Sequence, residues 1–279
     1  MLIFKRLFIY TFLLLSQIIL SQNNTSVPYE WEWSKDGIYT AGALAGSAGG
    51  LLLILDKDDL TDDELNAIVA KKDDINFLDK WAVGNSSQTA SDLSDIPFYL
   101  SFAAPLALFF EDEVNDNGGL VFGLFLKSMA TTGTLYGVTA GLINKSRPYV
   151  YDEGLNQFRR KSGNGQRSFF SGHAAATATS TFFVAKVYQD FNPDSPGVPY
   201  VWAGAAVLPL AVGALRIEAG QHFLTDVLIG YTIGALVGYY VPHFNKKRKA
   251  SKSNLSFAPV IGQTRFGENF QGLRFSLSF

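Results

Sequence analysis

Two of the three histidines in this chain stand beside residues that suit an anion. His173 follows Ser171 and Gly172 at the opening of an apolar run, and His222 lies between Arg216 and Asp226. Arg147-Pro148 closes an earlier apolar run, and the loop from Tyr149 to Phe170 carries Arg159, Arg160, Lys161 and Arg167. Each cluster sits where an apolar stretch meets a polar one. A helix start offers unpaired N–H groups and the positive end of a dipole. Two arginines add forked, permanently charged donors that match phosphate geometry. The expectation is an oxyanion cradle.

His222 and Asp226 are four apart, so on a helix they share a face, and the carboxylate is expected to fix the imidazole tautomer. A histidine so held is a candidate nucleophile. His173, near the cradle, is the natural proton donor to a departing alkoxide. His243, beside Pro242, reads as a packed or capping residue.

Together the three clusters resemble the type 2 phosphatidic acid phosphatase family, within the superfamily that also holds the haloperoxidases. The family signature is Lys, six residues, Arg-Pro; then Pro-Ser-Gly-His; then Ser-Arg, five residues, His, three residues, Asp. The residues that carry the likeness are Arg147-Pro148, Ser171-Gly172-His173, and Arg216, His222 and Asp226, within about Gly119 to His243. The resemblance implies His222 as nucleophile of a phosphohistidine, Asp226 as its orienting partner and His173 as general acid. It implies Arg147, Arg216, Ser171 and Gly172 as the phosphate-binding set, with no metal and no cofactor. A vanadium-dependent haloperoxidase is the second reading of the same cradle, and a lipid head-group binder without turnover is the third.

Three positions depart from the pattern. Phe170 stands for the motif Pro, Leu215 for the Ser before Arg216, and Ala140 for the motif Lys. Losing a lysine from a phosphate site removes a charge-assisted contact of roughly 1.5–3 kcal/mol. Lys145 falls on a different helical face from Ala140. One of the loop cations is therefore the expected replacement.

The elements that must position these groups are mostly apolar. Of 279 residues 47% are hydrophobic and 17% charged, and the net charge is −2. No basic excess points to nucleic acid. With no cysteine there is no disulfide, thiolate metal site or thiol nucleophile. Lys5 and Arg6 precede an apolar run to Leu20 and then Ser21-Gln22, the layout of a secretory signal over residues 1–22 that directs the chain to the cell envelope. Residues 23–95 read as an N-terminal helical and polar segment. In it Trp31 and Trp33 suit a membrane interface or a bundle, and Thr61 with Glu64 forms a capping box. Asp56, Asp58 and Asp59 do not make a calcium loop, because Thr61 and Ala67 stand where Gly and Glu are needed.

Residues 96–250 form the expected phosphatase core, with apolar runs Ile96–Phe110, Gly119–Asn144, Gly172–Val187, Val198–Leu215 and Phe223–Val241. Several lack a polar face, which favours a bilayer. Residues 251–279 alternate as a β-hairpin. The fold class is thus an all-α, membrane-embedded multi-helix bundle with a short C-terminal hairpin, and the expected substrate is a lipid phosphate or another phosphate ester. Lys246 to Lys249 place the far end of the last helix in the cytoplasm, so the clusters face the periplasm. If every later run crossed after a cleaved signal, the count would reverse this, so the glycine-rich Ile38–Leu55 is expected not to cross.

Overall fold

The computed structural model describes residues 27–247, 254–263, 265 and 267–278. The expected signal lies outside the described residues, as do Arg248, Lys249 and Phe279. The chain divides into two compact units, with the break between Lys246 and Lys247.

The first unit is helical. Its long helices are α1 (Ile38–Leu55), α3 (Gln88–Ala103), α5 (Gly118–Leu142), α7 (Gly172–Phe191), α8 (Val198–Glu218) and α9 (Leu224–Phe244). Short helices α2 (Asp62–Ala70), α4 (Asp112–Asn115) and α6 (Gln157–Lys161) lie in the connections. The predicted capping box is present at α2, where Thr61 Oγ1 accepts from Glu64 N and Glu64 accepts from Thr61 N. The apolar run expected from Ile96 begins earlier, because Ser87 caps α3 through Ala90 N. Helix α3 therefore takes in Gln88 to Asp95, which by sequence belong to the N-terminal helical and polar segment.

Four stretches are long and apolar enough to cross a membrane: Trp33–Leu55, Gln88–Phe110, Val198–Glu218 and Leu224–Phe244. Their outward side chains are large and apolar, with Leu52 67%, Val207 62% and Leu236 50% exposed. Such a surface is stable against hydrocarbon, not against water. The unit is a membrane-embedded helical bundle. The stretch expected not to cross, Ile38–Leu55, falls within one of these four.

Small residues set how closely the helices approach. A Cβ added to Gly50 in α1 would lie 2.5 Å from the backbone of Gly137 in α5. Gly230, Gly234 and Gly238 form a stripe on α9 facing the carbonyl oxygens of Ser171, Ala175 and Thr179, where added Cβ atoms would stand 2.1–2.4 Å away. Helices α7 and α9 thus run side by side in the same direction, and their N-termini meet. Helices α3, α7 and α9 begin, and α1, α5 and α8 end, at one end of the bundle.

The opposite end is tied by paired charges. Lys127, which interrupts the apolar run of α5, lies 2.7 Å from Asp36, and both are nearly buried. Asp190 takes Lys186 at 2.7 Å and the Tyr29 hydroxyl at 2.8 Å. Pairing is what makes a charge tolerable at such depth.

The second unit is the expected hairpin. Strands β1 (Asn254–Gln263) and β2 (Asn269–Ser278) pair antiparallel from Asn254↔Ser278 to Gln263↔Asn269.

Candidate active site

All three clusters converge at the end where α7 and α9 start. After α5, residues 145–147 run beside 165–168: Lys145 N donates to Gln166 O at 2.9 Å, Arg147 N to Gly165 O at 2.8 Å, and Ser168 N to Lys145 O at 2.9 Å. The next tie is Tyr149 N to Gly220 O at 3.1 Å, in the turn after α8. Gly220 has φ +67°, and a Cβ there would lie 1.7 Å from Asn85 O, so only glycine fits. That turn delivers Gln221 and His222. The Gln221 side-chain oxygen accepts from Arg147 Nη1.

Arg147 and Arg216 are buried, at 4% and 6% exposure. Arg216, in the last turn of α8, reaches Ser94 Oγ at 3.2 Å and Asp95 Oδ1 at 3.7 Å. Among the described residues the Nε atoms of both arginines have no hydrogen-bond partner. Burial pushes the Arg147 guanidinium below its ordinary range, and the like charge of Arg167 adds to the push. Two poorly compensated buried cations make a site for an anion.

His222 is 1% exposed. Its Nδ1 lies 2.6 Å from the Ser168 carbonyl oxygen. A carbonyl only accepts, so Nδ1 carries the hydrogen and Nε2 keeps its lone pair. Burial first, then the charges of Arg147 and Arg216, hold the imidazole well below its usual pKa and therefore neutral. A neutral imidazole with a free Nε2 beside two guanidiniums can attack an electrophile that carries anionic oxygens.

The expected contact between Asp226 and His222 is not made. His222 precedes α9 instead of lying on it, so the spacing of four does not put the two side chains on one face. Asp226 instead accepts from Ser168 Oγ at 2.6 Å, from Phe223 N at 3.0 Å and from Lys145 Nζ at 2.7 Å. Its link to the histidine runs through Ser168, whose carbonyl orients the ring.

Ser171 caps α7, accepting from Ala174 N at 3.4 Å, and its own N–H donates to Asp226 O at 3.0 Å. The hydroxyl hydrogen remains available to an anion. Gly172 lies beneath Tyr136 of α5, and a Cβ there would be 2.8 Å from that ring. His173 stacks on Phe98, with ring centroids 4.0 Å apart, and its Nε2 lies 3.0 Å from Asp95 Oδ1. Both His173 and Arg216 therefore meet Asp95 of α3. His243 stacks on Tyr239 near the other end of α9.

Several contributors were not singled out from sequence: Asp95, Asp79, Tyr136 and Ser168. Asp79 is fully buried and accepts from Thr225 N at 2.9 Å and Thr225 Oγ1 at 2.6 Å, capping α9. Only Tyr136 left a signal, being one helical turn before Ala140 and so on the same face. Ala140 itself is fully buried. Of the loop cations, Arg159 lies over the Tyr149 ring, Arg160 donates to Val150 O and Lys161 pairs with Asp62. Arg167 is the one whose charge bears on both Arg147 and Arg216. Lys145 is taken by Asp226 and Asp79.

Residues 122–250 match the family model described as the PAP2 superfamily. The likeness to that family lies within this stretch. The matched stretch includes Arg147, Ser171, Gly172, His173, Arg216, His222 and Asp226, while Asp79, Ser94, Asp95 and Phe98 come from the segment before it. The chain is 35% identical to phosphatidylglycerophosphatase B of Bacillus subtilis over 86 residues, covering 29% of this chain and 41% of that protein. It is 29% identical to lipid A 4'-phosphatase of Porphyromonas gingivalis over 77 residues, covering 28% and 29%. It is 31% identical to phospholipid phosphatase 1 of Rattus norvegicus over 117 residues, covering 39% and 42%. The chain thus spans less than half the length of these curated relatives. Among solved structures it is similar to a transmembrane PAP2 type phosphatidylglycerolphosphate phosphatase from Bacillus subtilis, at 23% identity and a TM-score of 0.46, covering 79% of this chain and 100% of that one.

Proposed function

We propose that the protein is a lipid phosphate phosphatase that hydrolyses a phosphomonoester or diphosphate through a phosphohistidine. The observation that carries the reading is the pair of buried arginines with unpartnered Nε atoms beside His222, whose Nδ1 donates to the Ser168 carbonyl and so leaves the lone pair on Nε2. An anion with several oxygens fits that set. The names of the matched relatives support a lipid substrate.

In this reading His222 Nε2 attacks phosphorus while Arg147, Arg216, the Ser171 hydroxyl and the Gly172 amide hold the non-bridging oxygens. The P–O bond to the lipid breaks, and His173 gives its proton to the departing oxygen. Burial first, then the charge of Arg216, holds the His173 pKa down to about 4, and the bound phosphate anion offsets the arginines so that the imidazole is protonated for this step. Water then attacks phosphorus, His173 takes the proton, the P–N bond breaks and His222 is restored. Arg167 takes the place of the motif lysine. No step calls on a metal.

Lys246, which pairs with Asp190 at 2.6 Å, lies at the end of the bundle opposite the site, and the basic run Lys246 to Lys249 begins there in the sequence, which supports a site facing the periplasm. Reporter fusions after Asn144 test this, and a cytoplasmic signal there would sink it. The activity is tested by phosphate release from phosphatidic acid, a polyprenyl diphosphate and p-nitrophenyl phosphate, with and without EDTA. Release that survives EDTA, disappears in His222→Ala and leaves an acid-labile phosphoryl group on the wild-type chain is the expected result. A purified parent that releases no phosphate from any of the three overturns the reading.

A further inference from the structure

The segment between α2 and α3 has two faces. Inward, Ile75, Ala82 and Val83 pack with Phe223 and Val227, next to the His222 turn. Outward, Phe77 is 84%, Leu78 42% and Trp81 60% exposed. Three large apolar groups this bare on one short segment of a water-facing loop would cost several kcal/mol if they stayed in water.

The segment's polar contacts fix its height in the bundle. Asp79 caps α9 through Thr225, Asn85 Nδ2 donates to Ile217 O at 3.1 Å, and Ser87 N donates to Glu218 O at 3.2 Å. These partners are the ends of two membrane-crossing stretches, and a third begins at Gln88. The segment therefore lies in the plane where three spans leave the bilayer. One turn below Thr225, the lipid-facing surface resumes with Leu228 45% and Ile229 39% exposed. Amphipathic rings are favoured at that depth.

We infer that Phe77, Leu78 and Trp81 form an edge that inserts into the head-group region of the leaflet beside the active site, so that a lipid phosphate reaches Arg147 and His222 along the membrane surface. The insertion stands on the packing alone; the delivery of substrate rests on the proposed phosphatase function.

The chain contains no cysteine, so a single cysteine can be labelled without background. Phe77→Cys and Trp81→Cys, each carrying a nitroxide, are placed in phosphatidylcholine vesicles beside Asp63→Cys, on an exposed turn of α2. Relaxation by oxygen should exceed that by a water-soluble nickel chelate at 77 and 81, with the reverse at 63. Nickel accessibility at 77 and 81 equal to that at 63 overturns the insertion. So does dipolar broadening between labels, because a second copy of the chain would then cover the patch.

The second arm uses Phe77→Ser with Trp81→Ser. Apparent KM for a long-chain lipid phosphate in vesicles should rise about tenfold, with p-nitrophenyl phosphate turnover unchanged. Equal losses on both substrates overturn the delivery role. A parent that turns over neither substrate sinks the phosphatase reading, while the nitroxide arm still decides the insertion.

Discussion

Lys145 Nζ lies 2.7 Å from Asp226 and 3.5 Å from Asp79, between two fully buried carboxylates that hold the first turn of α9. The lysine balances the anion that fastens Ser168, and Ser168 in turn aims His222. Burial of these acids is tolerable only while the cation is present.

Lys145→Met should therefore destabilise the protein by about 2 kcal/mol, below the 3–5 of a fully buried pair because part of this side chain reaches solvent. Thermal unfolding in detergent measures it. Adding Asp79→Asn should recover part of the loss. A single variant as stable as the parent would show that the carboxylates are neutralised in some other way.

Asp95 accepts from His173 and faces Arg216, so Asp95→Asn should impair proton delivery to the leaving group. With an alkyl phosphate, kcat should fall about a hundredfold, within the usual range for general acid catalysis. With p-nitrophenyl phosphate, whose leaving group needs no proton, the loss should be much smaller. Equal losses on both substrates would remove Asp95 from that task.

Burial keeps His222 neutral, with its folded pKa far below the ordinary 6.5. As pH falls through 6.5 the unfolded chain binds a proton that the folded chain refuses. Stability contributed by this group is thus present above 6.5 and is lost toward acid, by up to about 1.4 kcal/mol per pH unit. Unfolding at pH 7.5 and pH 5 should show a steeper decline in the parent than in His222→Gln. A parallel decline would contradict the assignment.

Tyr136, one turn before Ala140, bears on Arg147 and Arg216. A lysine introduced at 140 therefore points to the same region. Because Arg167 already supplies the charge-assisted contact, Ala140→Lys should leave kcat/KM unchanged, and Arg167→Ala in the parent should lower it about tenfold. Ala140→Lys should lower stability by about 1–3 kcal/mol, because Ala140 is fully buried and well packed. A tenfold gain from Ala140→Lys would show instead that Arg167 leaves the place unfilled.

The helices, the hairpin and the three clusters of the candidate site were legible in the sequence because each rests on local information. Apolar runs of span length, a Thr61–Glu64 cap, alternation in the tail, and arginines and histidines at helix ends all depend on neighbours within a few positions. What only the tertiary structure decided were contacts across large sequence separations. Asp95 and Asp79 belong by sequence to the N-terminal polar segment, and they join the candidate site because α3 and the loop before it pack on the ends of α8 and α9. Asp226 looked like the partner of His222 by a spacing that holds only on a helix, and α9 starts after the histidine. The Ser168 carbonyl orients the ring instead, because a backbone oxygen leaves no trace in residue type, and only folding brings it 54 residues along the chain to Nδ1.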